Sequence, residues 1–173
     1  MLGNSGSRIA SWIIGFLPKS RWHGLKRLLL RELGGIEVGD GTCIWSGARI
    51  GGRYIKIGRN CHIGEGCELH AYSPQGTLTI GDEVSFGPEV YITTGTHDVG
   101  DSHRRSGRGK FAPIVIKSGA AISVRAIITA GVTVGSGTFV GPGVVVTMNL
   151  PDNTMISQGA GKKYPIPEEG IEW

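Results

Sequence analysis

The stretch TTGTHDVGDSHRR, residues 93 to 105, gathers the side chains of this sequence best suited to chemistry. His97 stands there between Thr96 and Asp98, and His103, Arg104 and Arg105 follow it. Imidazole, with an ordinary pKa of about 6.5, exchanges a proton at neutral pH and can take the proton of a hydroxyl as it attacks an activated carbonyl. Asp98 and Glu89 are the carboxylates that would orient an imidazole nitrogen, with plain solvation the competing reading for each. The cluster His103, Arg104, Arg105, Arg108 and Lys110 has two readings that stay open: guanidinium forks for an anionic acceptor, and mobile surface charge. Lys162 and Lys163 suit phosphates as point charges, or form a solvated pair. The three cysteines, Cys43, Cys61 and Cys67, are an odd number in no metal-ligand or Cys-His spacing, which gives no reason to invoke a disulfide framework, a zinc site or a covalent intermediate. An isolated histidine reads by default as a surface loop residue, so the elements around His97 must decide its role.

Those elements come from a repeat. From Val38 onward an aliphatic residue followed by a small or turn residue recurs every six positions, as in VGDGTC (38), IGRNCH (57), IGEGCE (63), IGDEVS (80), IKSGAA (116), VGSGTF (134) and VGPGVV (140). A hexad suits a short strand and a tight turn whose glycine or polar residue takes φ > 0. The leading aliphatic and the small fifth residue are expected to point inward and stack on neighbouring units. The 30 glycines among 173 residues, more than twice ordinary usage, are then turn markers.

Ahead of the repeat, residues 1 to 35 carry Arg8, Lys19, Arg21, Lys26, Arg27 and Arg31 against Glu32 alone, although the whole chain has a net charge of only +4. A basic arm on a nearly neutral body points to an anionic surface or partner and away from wholesale nucleic-acid binding. Ile9, Trp12, Ile13, Phe16 and Leu17 follow a helical stripe with Ser7 as its expected cap and Pro18 as its stop. A second helix is expected from a Ser20 cap, carrying Trp22, Leu25, Leu28, Leu29 and Leu33 before Gly34 and Gly35 end it. Docking of both helices over the first coil is the plainer reading; peripheral membrane contact stays beside it, because basic residues flank the stripe. The apolar run Ile9 to Leu17 is too short to span a bilayer. A cytoplasmic protein is expected, at or near the inner face of the membrane.

The stretch 93 to 105, the API at 112 to 114 and VGPGVVVTMNLPDNT at 140 to 154 resemble the hexapeptide-repeat acyltransferases, in particular maltose and galactoside O-acetyltransferases and sugar acetyltransferases of polysaccharide assembly. The resemblance implies a left-handed parallel β-helix with three hexads per triangular coil. Five coils then begin at Val38, Ile57, Ile80, Ile116 and Val134, and every insertion falls after the third side, on one edge. The longest, an unpatterned loop over 98 to 113, begins at His97 and is read as functional. The expected division is an arm over 1–35, a β-helix over 36–151 and a tail over 152–173.

The same resemblance implies an acetyl coenzyme A-dependent O-acetyltransferase with His97 as general base, acting as a homotrimer whose sites lie between prisms. It places Ser123, Val124, Pro142, Thr147, Lys162 and Lys163 along coenzyme A, and His70, Asp98, His103, Arg104 and Arg105 at a sugar, nucleotide-sugar or lipid-linked saccharide acceptor, with no metal. Transfer to the amine of a nucleotide-linked amino sugar is the alternative. A γ-type carbonic anhydrase is disfavoured: Glu68-Leu69-His70-Ala71 resembles its first ligand segment, but Phe86-Gly87-Pro88 and Ile92-Thr93-Thr94 supply no further histidine. A non-catalytic scaffold would show no dependence on His97. Two departures stand out. Gly159-Ala160-Gly161-Lys162-Lys163 replaces the family's Gly-Asn-Pro-Ala-Lys tail, and Ala121-Ile122-Ser123 stands where a Trp-Ile-Gly is common, so no tryptophan at 121 serves the acceptor.

Overall fold

The structure of the protein, a computed structural model, describes residues 3–18, 21–157 and 163–165. Two helices, α1 (Gly3–Phe16) and α2 (His23–Glu32), precede a prism of three parallel sheets. Face one stacks β1 (Glu37–Val38), β4 (Ile55–Ile57), β7 (Leu78–Ile80), β12 (Ile114–Ile116) and β15 (Thr133–Val134). Face two stacks β2 (Cys43–Ile44), β5 (His62–Ile63), β8 (Ser85–Phe86), β13 (Ala121–Ile122), β16 (Phe139–Val140) and β18 (Thr154–Ile156), with β19 (Lys163–Pro165) added antiparallel. Face three stacks β3 (Arg49–Gly51), β6 (Glu68–His70), β9 (Tyr91–Thr93), β14 (Ile127–Ile128) and β17 (Val145–Val146). The chain visits the faces in turn, one coil after another, as a left-handed parallel β-helix.

The core follows the hexad. Leading residues such as Ile44, Ile63, Phe86, Ile122 and Val140 are buried, and so are fifth residues such as Thr42, Cys61, Cys67, Val84 and Ala126. This places two of the cysteines as small core residues: the Cys61 and Cys67 Sγ atoms donate to Gly81 O and Gly87 O, each at 3.1 Å. Burial pushes the Cys67 thiol up to about 11, and raises Cys61 too. The fourth residue of the hexad makes the turn at positive φ, and between faces two and three even Glu89 and Arg125 adopt it, each at 58°.

The two helices cover the first coil in a way the sequence pattern did not indicate. Ser7 is no cap: it lies within α1, buried, and its hydroxyl accepts the Gly52 N–H at 3.1 Å, while Ser11 Oγ accepts the Ile50 N–H at 2.9 Å. Ile50 belongs to the edge strand of face three and Gly52 follows its end, and both N–H groups would otherwise lie buried without partners. The face of α1 that docks is therefore Ser7, Ala10, Ser11 and Ile14, and the expected stripe of Ile9, Trp12 and Phe16 points outward. In α2, Trp22 precedes the helix with φ of 71° and no side-chain cap; Ser20 lies outside the described residues. Trp22 and Leu28 are exposed, Leu29 and Leu33 pack on the core, and Lys26 and Leu30 are fully buried. Polar side chains of α2 again reach the first coil's backbone: Lys26 Nζ donates to Ile44 O at 2.9 Å, Arg27 Nη1 to Thr42 O at 2.8 Å, and His23 Nδ1 accepts the Ile44 N–H at 3.1 Å. Burial lowers the Lys26 pKa. Among the described residues no helix is long and apolar enough to cross a membrane.

Candidate functional site

The expected loop after His97 is an antiparallel hairpin, β10 (Gly95–Val99) with β11 (Ser106–Phe111), which leaves the prism where face three turns into face one. Most of its residues are exposed, so no core-facing pattern is imposed on the sequence and the strands could not be read from it. His97 lies opposite Gly109, and between His97 and Val99 the register slips, with Gly107 and Arg108 both facing Asp98. Such a bulge twists the strand locally and re-aims its side chains. The exposed imidazole lies over Gly109: a Cβ built there would stand 3.8 Å from His97 Cδ2. Asp98 pairs with Lys110 and Glu89 accepts from Arg125 Nε at 2.5 Å, so both carboxylates have cationic partners. His103, Arg104 and Arg105 sit at the exposed hairpin tip, where Asp101 Oδ1 accepts the His103 and Arg104 N–H groups at 2.9 and 3.0 Å.

His70 lies on β6, beneath the root of that hairpin, and its carbonyl accepts both the Thr94 N–H at 3.1 Å and the Thr94 hydroxyl at 3.3 Å. Its ring Nε2 donates to Glu68 Oε2 at 3.1 Å, leaving Nδ1 to accept from Tyr72 Oη at 3.3 Å. Glu68 is held in turn by Arg49 Nη1 at 3.0 Å. This chain forms one wall of a cleft of about 500 Å³ whose other wall is α1; Arg8, Trp12, Phe16, Arg49, His70 and Tyr72 line it.

A second cleft, of about 640 Å³, runs along face two to the edge where that face turns into face three. It brings together Ser123, Val124 and Pro142, and it extends past Ala121 to His62 and Trp45 near the helical end. Trp45 Nε1 donates to His62 Nδ1 at 3.3 Å, and burial, then nearby His23, lowers the His62 pKa. Thr147 is not in this cleft; it follows β17 on the hairpin's edge and is exposed. Lys162 lies outside the described residues, and Lys163 is described only in its backbone, within β19.

The residues expected around one reaction thus occupy two edges of the prism. His97, Asp98 and Thr147 belong to the turn from face three to face one; Ser123, Val124 and Pro142 belong to the turn from face two to face three. Trp45, His62 and Tyr72 line the clefts without having been singled out, and Trp12 and Phe16 had been read only as part of a helical stripe. For His62 a signal existed: it, Ser85, Ala121 and Phe139 each precede a leading aliphatic and stack in register on the outside of face two. Among the described residues no three His, Cys, Asp or Glu side chains gather as a metal-binding group.

No family model matches the chain. A putative acetyltransferase of Schizosaccharomyces pombe is 40% identical over 78 residues, which cover 45% of this chain and 38% of that protein. The galactoside O-acetyltransferase of Escherichia coli K12 is 31% identical over 105 residues, 59% of this chain and 52% of that one. The chain thus spans about half the length, or less, of these curated relatives. Among solved structures, a hexapeptide-repeat acetyltransferase of Vibrio cholerae complexed with acetyl coenzyme A superposes with a TM-score of 0.72 at 25% identity, covering 88% of this chain and 80% of that one. A maltose O-acetyltransferase of Clostridium difficile superposes at 0.66, also at 25% identity, with the same 88% and 80% coverage. In its six-residue repeat and its stacked coils, the chain is similar to the hexapeptide-repeat acetyltransferases.

Proposed function

We propose that the protein moves an acetyl group from acetyl coenzyme A to a sugar hydroxyl, with His97 as general base. The observation that carries this reading is the exposed imidazole at the root of the prism's most elaborated edge, set over Gly109. His97 takes the acceptor's proton as the sugar oxygen attacks the thioester carbonyl, the C–S bond breaks as the C–O bond forms, and the imidazolium returns the proton to the departing thiolate. The mostly apolar cleft on face two suits a pantetheine arm, with Ser123, Val124 and Pro142 along it, and Thr147, Lys162 and Lys163 towards the nucleotide end. His97 and this cleft sit on different edges, so the reading calls for a homotrimer in which the hairpin edge of one copy faces the cleft edge of the next. His70 and Asp98, with His103, Arg104 and Arg105 for anionic parts, serve the acceptor. The cytoplasm, where acetyl coenzyme A is made, is the expected location.

The test is a coenzyme A release assay over sugars, nucleotide sugars, nucleotide-linked amino sugars and lipid-linked saccharides, with wild type and His97→Ala in parallel. His97→Ala is expected to lose roughly 10²–10⁴-fold in turnover, with coenzyme A binding and melting temperature retained. Near-normal turnover in that variant would overturn the assignment, and release confined to amino-sugar acceptors would move it to N-acetylation.

A further inference from the structure

Helix α1 is amphipathic the wrong way round for a helix whose task is to cover a prism. Its docked side is Ser7, Ala10, Ser11 and Ile14, held by two hydroxyl-to-backbone hydrogen bonds. Its opposite side presents Ile9, Trp12 and Phe16 at 50%, 68% and 75% exposure, with Trp12 and Phe16 in edge contact at 5.0 Å and exposed Arg8 one turn before Trp12. Trp22 and Leu28 of the second helical segment are also more than half exposed, and Arg21 is exposed beside Trp22. A contiguous apolar stripe of this kind marks an interaction surface, because water gains nothing from contacting it. Lys26 is buried and Arg27 and Arg31 bond first-coil carbonyls, so among the described residues the arm's outward cations are Arg8 and Arg21.

We infer that α1 lies in the interface of an anionic lipid surface, its Ile9, Trp12 and Phe16 face immersed at headgroup level and Arg8 and Arg21 over the lipid charge. Charge decides between this occupant and a second copy of the chain. Two copies meeting through this same face would bring Arg8 and Arg21 of each together, and the trimer proposed above meets through the hairpin and cleft edges, whereas an anionic bilayer pairs with both the stripe and these two arginines. Length agrees: 14 residues of helix reach about 21 Å, enough to lie on a bilayer and too little to cross it. Tryptophan suits that depth, since its ring is apolar and its N–H finds water or phosphate. The inference stands or falls independently of acetyl transfer.

The experiment is vesicle flotation of the full chain with phosphatidylcholine alone and with phosphatidylcholine containing phosphatidylglycerol, at low and at raised salt. Wild type is expected to float with the phosphatidylglycerol vesicles and to be released by salt. Trp12→Ser combined with Phe16→Ser, and separately Arg8→Glu, each lower the bound fraction by about tenfold. Val99→Ser, which removes an apolar side chain 84% exposed on the hairpin, leaves it unchanged. Because these positions are exposed, far-ultraviolet dichroism is expected to show all variants folded. A wild type that stays with the soluble fraction, or a double variant that floats like wild type, overturns the inference. So does a double variant that floats normally but sediments at lower mass, which would make the stripe a protein contact.

Discussion

His97 and His62 show how differently two histidines stand in the same repeat. His97 is exposed on a hairpin, and its motif made it a candidate from sequence. His62 escaped notice because the hexad draws attention to inward positions, whereas His62 stands one residue before an inward one, on the floor of the face-two cleft. The Trp45 N–H points at its Nδ1, and burial, followed by His23, disfavours its cationic form. The folded pKa is therefore below the unfolded value, so the unfolded chain binds more protons between the two. Stability linked to His62 is fully present above about pH 6.5 and is lost as pH falls through the folded pKa. Melting temperature should thus decline on acidification from neutrality in wild type, and decline less steeply in His62→Gln. Parallel thermal melts across that window check this, and identical slopes would contradict it.

At the scale of elements, the coils were legible and the facing of the helices was not. Residues 38, 57, 80, 116 and 134 do open successive coils, and the insertions do share one edge, because a buried aliphatic every six residues admits one register. The arm defeated the same logic. Its docking is governed by the unpaired backbone of β3, whose N–H groups are served by serine hydroxyls, while an apolar stripe by itself says only that some surface will meet it. Ser7→Ala together with Ser11→Ala leaves the Gly52 and Ile50 N–H groups without those acceptors, a cost of about 1–3 kcal/mol each where water cannot enter. Urea denaturation should show a lower midpoint for the double variant. Hydrogen exchange should show faster labelling of β3 amides while those of β14 are unaffected. The division of site residues between two edges was illegible for another reason: spacing assigns residues to edges of one prism, and says nothing of which edge of another copy lies beside them.

For the whole molecule, a stack of parallel coils has one shape along its length and two ends where the backbone hydrogen bonding stops. Removal of residues 1–35 would strip the first coil of Arg31, Lys26, Arg27, His23, Ser7 and Ser11, which now bond its outer backbone groups. The expected result is association through the bared coil, seen as a mass that rises with concentration in light scattering. A truncated chain that stays dispersed at all concentrations would show that the bare end is protected by something else. Seen as polymer chemistry, each coil is a monomer added to a growing rod, with its own upper surface as template for the next. The arm is then the chain terminator: it fixes the degree of polymerisation at the N-terminal end by occupying the reactive face with side chains that no further coil can copy.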